Sequence, residues 1–262
     1  MTLYPNVKLN FGLRVHGKRP DGYHELETLF VPFHGFHDEL SVIPSSDFSI
    51  SIEGPSYGGW EPDGDLTARA WRLMRDEFGI DPVRINLVKN SPVGAGLGGG
   101  SADGAFALRA MNDIFSLGLD DASLAMLAAR LGSDCPFFIY NRPMLATGRG
   151  EVLEPFDIDL SAYRIEVAVP EGISVSTRDA YAGVDARPGV LLPGAENSLL
   201  RNILRLPVEQ WRGRLENDFE GSVFPAYPEI SELKRQFYER GAVYAAMSGS
   251  GSAVFALFPA NS

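Results

Sequence analysis

Apolar and polar residues alternate near the N-terminus in a pattern that predicts the first strand. Between Val7 and Val15 every second residue is apolar, namely Val7, Leu9, Phe11, Leu13 and Val15. A period of two places successive side chains on opposite faces of a strand. We therefore expect a half-buried strand whose open face carries Lys8 and Asn10 side by side.

Further segments continue the pattern. Strands are predicted in FSISIEG (48–54), VRINLVKN (83–90), YRIEVAVP (163–170), GAVYAAM (241–247) and SAVFALF (252–258). Helical spacing of apolar residues predicts helices over 65–78, 102–115 and 121–131, one that begins near residue 176, and one over 230–239. Strands and helices mix along the chain, so the predicted class is α+β, with a domain boundary near residue 158 that gives domains 1–158 and 159–262.

Composition limits the partners. The chain has 262 residues, 45% of them hydrophobic, and a formal net charge of −11. This charge argues against nucleic acid or an anionic membrane surface, which clustered Lys and Arg would bind. The N-terminus has no signal-peptide pattern. No apolar run reaches the roughly 18 residues of a membrane span. The single cysteine, Cys135, permits no internal disulfide. We expect a cytoplasmic protein.

The glycine-rich stretch from Pro92 to Ala102 is the strongest chemical signal. Successive backbone N–H groups in such a loop, together with the start of the following helix, can cradle a phosphate. A Walker A loop is excluded because no lysine follows the glycines. A dinucleotide fingerprint matches at Gly94, Gly96 and Gly99, but the acidic residues about 20 positions later begin a predicted helix. A loop that merely packs closely remains a possible alternative.

The segment PVGAGLGGGSAD closely resembles the phosphate loop of the GHMP kinases, the small-molecule kinases named after galactokinase, homoserine kinase, mevalonate kinase and phosphomevalonate kinase. The resemblance implies an ATP-dependent kinase with an alcohol acceptor, ATP and Mg²⁺ as cofactors, and a two-domain fold. That fold has an N-terminal mixed sheet with helices and a ribosomal-protein-like βαβ unit, and a C-terminal ferredoxin-like α/β sandwich. The implied ATP-binding residues are Pro92, Val93, Gly94, Ala95, Gly96, Leu97, Gly98, Gly99, Gly100, Ser101 and Ala102. Ser101 could cap the following helix or contact a phosphate or magnesium, and capping alone is the expected role.

Further segments narrow the resemblance: KLNFGL (8–13), RPDGYHELETLF (19–30), LGSDCPFF (131–138), ENDFE (216–220) and SGSGSAVFALF (248–258). They are similar to the GHMP kinases that phosphorylate the 2-hydroxyl of a cytidine diphosphate-linked methylerythritol, in the non-mevalonate route to isoprenoid precursors. This implies a small-molecule substrate. Separately, we expect a monomer or a weak homodimer. Relatives usually continue beyond the last predicted strand, so the C-terminal domain is expected to be trimmed or the chain incomplete.

Two residues are the candidates for catalysis. Phosphoryl transfer needs a group that accepts the hydroxyl proton and a charge that stabilises the reacting oxygens. Asp134 follows a glycine that ends a predicted helix and precedes apolar residues, where a partly desolvated carboxylate is a better base. Lys8 lies on the first strand, and the resemblance implies that it faces the aspartate. The sequence does not identify metal ligands.

The remaining candidates concern the substrate. The turn at Asp21–Gly22 is expected to push both following rings outward. The resemblance implies that Tyr23 stacks on the cytosine ring and His24 hydrogen-bonds to its edge. The further substrate-binding candidates are Asn10, Phe30, Thr177 and Tyr181. Two alternatives remain open: another GHMP kinase, acting on homoserine or mevalonate, and a non-catalytic nucleotide-binding protein.

Overall fold

The computed structural model of the chain describes residues 1–186 and 199–260. These residues divide into two compact units. The first comprises residues 1–8, 32–93 and 98–142, and the second comprises 9–31, 94–97, 143–186 and 199–260. The division into domains at residue 158 stays a prediction.

Strands and helices are mixed along the described residues. The strands are β1 (Thr2–Leu3), β2 (Asn6–Lys18), β3 (His24–His37), β4 (Glu39–Pro44), β5 (Ser49–Glu53), β6 (Val83–Val88), β7 (Met144–Thr147), β8 (Val152–Pro155), β9 (Tyr163–Ala168), β10 (Tyr244–Met247) and β11 (Val254–Pro259). The α-helices are α1 (Leu66–Phe78), α2 (Gly99–Ile114), α3 (Asp121–Leu131), α4 (Cys135–Tyr140), α5 (Thr177–Asp185), α6 (Leu199–Leu204), α7 (Glu220–Ala226) and α8 (Pro228–Glu239). None of the helices in the described ranges combines the length and the apolar character needed to cross a membrane.

The first unit contains a βαβ unit, as predicted. Its sheet has the strand order β1-β4-β6-β5. Strand β5 pairs parallel with β6, whereas β4 pairs antiparallel with β6. Because α1 connects β5 to β6, a helix joins two parallel neighbours. Helix α1 packs on α2, and α2 contacts α3 and α4.

Local sequence explains the helix ends. The Asp65 carboxylate accepts a hydrogen bond of 2.9 Å from the Thr67 N–H, which caps α1, and Gly79 ends that helix with a φ of 66°. Helix α3 has the predicted bounds, 121–131. Helix α2 begins three residues earlier than predicted, because Gly99 and Gly100 already have helical geometry.

The second unit contains two sheets. Strands β9, β10 and β11 form an antiparallel sheet in the order β10-β11-β9. Residues 9–18 of β2 and 24–31 of β3, which belong to this unit, form another sheet with β7 and β8 in the order β2-β3-β7-β8. Side chains of α5, α7, α8 and β11 share one apolar core, which includes Val184, Val223, Phe237 and Val254. The strands and helices predicted beyond residue 160 are confirmed in this unit.

The prediction of an open face on β2 is wrong. Lys8 is 4% exposed and Asn10 is 2% exposed, so the strand is buried on both faces. Each polar side chain has partners far away in sequence, described below. Likewise, the sequence pattern predicted no strand over residues 24–44, where β3 and β4 lie. In β3, polar and apolar residues are buried together, so the strand lacks the alternation that would have indicated it.

Candidate active site

Lys8 and Asp134 form an ion pair in the first unit. The Nζ of Lys8 lies 3.6 Å from Oδ2 of Asp134. Lys8 belongs to β2, and Asp134 is the residue directly before α4, after the end of α3 at Gly132. The side chain of Lys8 is 5% exposed and that of Asp134 is 34% exposed. The carboxylate is therefore accessible to a ligand, while the ammonium is buried.

Burial lowers the pKa of Lys8, and the Asp134 carboxylate opposes this by charge attraction and a hydrogen bond. The positive charge of Lys8 thus depends on its partner. A buried ammonium beside an accessible carboxylate is a pair that can take up a proton and stabilise negative charge nearby.

Alternate glycines of the loop adopt the left-handed conformation. The φ angles of Gly94, Gly96 and Gly98 are 70°, 76° and 74°. Residues with a side chain disfavour this region. A Cβ atom at Gly96 would also overlap the carbonyl oxygen of Ser248. Both the backbone conformation and the close packing against Ser248 therefore require glycine at position 96.

The first turn of α2 follows this loop. Its N-cap residue, Gly98, provides no side-chain cap. The expectation that Ser101 caps the helix is wrong: Ser101 lies inside the first turn and its hydroxyl pairs with the thiol of Cys135, whose pKa burial raises to about 12. The leading N–H groups of α2 have no intrahelical acceptor, so they suit phosphate oxygens.

A buried charge network supports the loop and was not predicted. Lys89 Nζ contacts the carboxylate of Asp38 and lies 2.6 Å from Oδ2 of Asp103. Asp38 also accepts hydrogen bonds of 2.7 Å from the N–H groups of Asn90 and Ser91. Ser91 in turn leaves too little space for a side chain at position 99, because a Cβ at Gly99 would lie 2.7 Å from the Oγ of Ser91. The only sequence signal was a lysine directly after the apolar strand β6, five residues before the first glycine of the loop.

The protonation of the network follows from its contacts. Burial raises the pKa of Asp103 well above its usual range, and its Oδ1 is buried without a hydrogen-bond partner among the described residues. Burial would lower the pKa of Lys89, but Asp103 and Asp38 outweigh it and raise that pKa. One ammonium faces two carboxyl groups, so the ionised form of Asp103 is costly and its carboxyl takes up a proton at a higher pH than an ordinary aspartate does.

Ser248 connects several loop residues within the second unit. Its hydroxyl donates to the carbonyl of Gly96 at 3.1 Å and accepts from the N–H of Asn10 at 3.3 Å. The amide of Asn10 donates to Thr28 Oγ1 at 3.1 Å. Asn217 donates 2.8 Å hydrogen bonds to the two carbonyls that flank Ser248. The roles of Thr28 and Asn217 were not predicted, because their partners are distant in sequence.

The two aromatic candidates after the turn differ in exposure. Tyr23 is 55% exposed, with the guanidinium of Arg149 4.7 Å from its ring centre. His24 is only 8% exposed, so the expectation that both rings face outward is wrong for this residue. Its ring stacks on Tyr181 at 4.5 Å and 15°, and its Nε2 lies 2.7 Å from Oδ1 of Asp185. These partners bury the imidazole.

The remaining candidates lie in different surroundings. Phe30 is 3% exposed and pairs with Met144 in the sheet, so it belongs to the packed interior. Thr177 Oγ1 lies 3.0 Å from Ser250 Oγ, in the SGSGS segment. Within residues 1–186 and 199–260, no cluster of three or more His, Cys, Asp or Glu side chains could hold a metal ion.

Comparisons with known proteins identify the family of the chain. The family model "GHMP kinases N terminal domain" matches residues 65–142, and "GHMP kinases C terminal" matches residues 198–262. A protein of Bacteroides fragilis named 4-diphosphocytidyl-2-C-methyl-D-erythritol kinase is 45% identical over 98% of this chain and 92% of its own length. The crystal structure of a 4-(cytidine 5'-diphospho)-2C-methyl-D-erythritol kinase superposes with a TM-score of 0.78 at 36% identity, covering 98% of this chain and 90% of that one.

A homoserine kinase from Cytophaga hutchinsonii shares the fold alone, with a TM-score of 0.69 at 16% identity, covering 97% of this chain and 85% of that chain. The two family models and the βαβ unit define the class of protein as a two-domain GHMP kinase, which confirms the predicted fold. The chain belongs to the GHMP kinases and, within them, to the family of the 4-diphosphocytidyl-2-C-methyl-D-erythritol kinases.

Proposed function

We propose that this chain transfers the γ-phosphoryl group of ATP to the 2-hydroxyl of 4-diphosphocytidyl-2-C-methyl-D-erythritol, a step of the non-mevalonate route to isoprenoid precursors. The single observation that carries this proposal is the Lys8–Asp134 pair, 3.6 Å apart, in a chain 45% identical to a kinase of that name. The homoserine and mevalonate alternatives are not favoured, because chains with those names share the fold at only 16% identity.

Asp134 is the proposed general base. Its carboxylate is partly exposed, so it can accept the proton of the acceptor hydroxyl. Lys8 keeps a positive charge next to that carboxylate and stabilises the oxygen from which the proton leaves. Lys8 is buried and cannot swing freely into solvent, which keeps this charge in place throughout the reaction.

The proposed ATP site consists of residues 92–102. When bound, ATP with Mg²⁺ supplies the phosphoryl group and neutralises part of its charge. The backbone N–H groups of the loop and of the first turn of α2 bind its phosphates, which lets a protein of net charge −11 hold a polyanion without a basic patch. Glycine at 96 keeps the loop close to Ser248, so the N–H groups stay oriented.

The proposed pocket for the cytosine base combines Tyr23, His24 and Tyr181. Tyr23 offers an exposed ring for stacking. Tyr181 stacks on His24 and orients its imidazole toward the edge of the base. Asn10 and Thr177 are proposed to bind the rest of the substrate, and Phe30 to support the pocket from within the packed sheet.

We also propose that the chain acts in the cytoplasm as a monomer or weak homodimer, with small molecules as its only required partners. The net charge of −11 supports the exclusion of nucleic acid and anionic membranes.

A coupled assay of ADP release tests the proposal. Wild-type protein is expected to release ADP with the cytidine diphosphate-linked substrate and not with mevalonate or homoserine. Loss of a general base typically costs about 10²- to 10⁴-fold in rate, so Asp134→Asn is expected to add roughly 3–5.5 kcal/mol to the barrier. Near-wild-type turnover by a folded Asp134→Asn protein would contradict the assignment, and release with mevalonate or homoserine alone would reject the substrate.

A further inference from the structure

Helix α5 presents two side chains to the ring of His24. Tyr181 and Asp185 are four residues apart, which places them on one face of the helix. Tyr181 covers the face of the imidazole at 4.5 Å, and Asp185 Oδ1 meets its Nε2 at 2.7 Å. One helix therefore contacts both the face and one nitrogen of the ring.

This contact is built into the packing of the second unit. Ala180 and Val184, which flank these residues on α5, are 2% and 0% exposed. The ring of Phe219 meets Tyr181 edge-on at 4.8 Å. His24 is 8% exposed, whereas the side chain of Asp185 is 36% exposed. The orientation of the imidazole is consequently fixed by its neighbours, and the carboxylate reaches it from a firmly anchored helix.

The contact determines which nitrogen of His24 carries a proton. An ionised carboxylate only accepts hydrogen bonds, so Nε2 must donate to Asp185. A neutral imidazole has one N–H group, which leaves a lone pair on Nδ1. Cytosine presents an amino donor at the position where uracil presents a carbonyl acceptor. An acceptor at Nδ1 therefore fits cytosine and opposes uracil.

We propose that Asp185 is a positioning residue that fixes the tautomer of His24 and thereby makes the site select cytosine over uracil. The inference rests on the proposed function, in which His24 meets the edge of the base. Asp185 acts through His24 and does not itself contact the nucleotide.

The test compares cytidine and uridine forms of the diphosphate-linked substrate at about pH 8.5, where an ordinary imidazole is neutral. Wild-type protein is expected to favour the cytidine form in kcat/KM by about 10²-fold or more. Asp185→Asn offers the imidazole either an oxygen or an amino group, so both tautomers become available. We expect the preference to fall by roughly 10- to 100-fold, mainly through KM. Asp185→Glu keeps a carboxylate and is expected to retain most of the preference.

The matched control is Asp179→Asn, which removes the same charge from the other side of α5 and is expected to leave the preference unchanged. Nitrogen-15 spectra of the imidazoles, assigned with His24→Gln, should show the Nε2–H form of His24 in wild type and a mixture in Asp185→Asn. An unchanged preference in Asp185→Asn, or an Nδ1–H form in wild type, would overturn the inference alone. No turnover of either nucleotide by wild type would overturn the proposed function and this inference together.

Discussion

Replacement of Gly96 by alanine tests the conformation of the phosphate loop. Gly96 has a φ of 76°. A side chain in this region costs roughly 1–2 kcal/mol. The added Cβ would overlap the carbonyl of Ser248 and lie 3.1 Å from the N of Gly251, and relief of such overpacking typically costs about 1–3 kcal/mol. We expect Gly96→Ala to lower the free energy of unfolding by about 2–5 kcal/mol.

Gly100→Ala is the matched control in the same loop. Gly100 lies in the first turn of α2, and a Cβ there would meet no atom within 4 Å. Alanine in a helix is more stable than glycine by roughly 0.5–1 kcal/mol, so this variant should be slightly more stable than wild type.

Thermal melting followed by circular dichroism measures both variants. For a chain of this size each kcal/mol shifts Tm by about 2–4 °C, so Gly96→Ala should melt roughly 4–20 °C lower, and Gly100→Ala at or slightly above wild type. Equal destabilisation by both variants, or none by Gly96→Ala, would refute the left-handed conformation and the close approach to Ser248.

Three further predictions concern buried or half-buried groups. Lys89→Met leaves buried carboxylate charge uncompensated and should cost about 3–5 kcal/mol in urea unfolding. Asp103→Asn keeps the shape of the side chain and removes the charge that burial disfavours, so it should cost clearly less; equal costs would argue against the raised pKa of Asp103. The pKa of Cys135, about 12, predicts no reaction of the native protein with a thiol reagent at about pH 8 and full reaction after unfolding, so rapid native labelling would contradict its burial. A hydrogen bond to Glu27 raises the pKa of His16. The difference in free energy of unfolding between wild type and His16→Gln should therefore be largest below about pH 6.5 and shrink as the pH rises through the raised pKa. A difference that grows with pH would contradict this.

Local signals in the sequence predicted much of the fold. Helix α3 has its predicted bounds because Asp120 caps it, accepting from the Ser123 N–H at 2.8 Å, and Gly132 follows its last residue. The strand–loop–helix order around the glycines was also apparent from residue types alone. These features depend on neighbours within a few residues, which a single sequence displays.

The contacts around the candidate site were less predictable. Lys8 and Asn10 were expected on an open face. Alternation separates the polar face of a strand from its apolar face, but it does not show whether other parts of the chain pack against the polar face. Asn10 contacts Ser248, 238 residues away, and His24 contacts Asp185, 161 residues away. Polar residues that are buried by such distant partners look like surface residues in the sequence. The resemblance to a known family, rather than periodicity, made them candidates.

The measurement that most directly tests the central claim is phosphorus NMR of the reaction product, made from ATP, Mg²⁺ and 4-diphosphocytidyl-2-C-methyl-D-erythritol. The proposed function predicts one new phosphomonoester signal, formed in proportion to ADP, on the 2-hydroxyl of a substrate whose diphosphate is intact. ADP that accumulates with inorganic phosphate instead, or a new phosphate on a different hydroxyl, would contradict it.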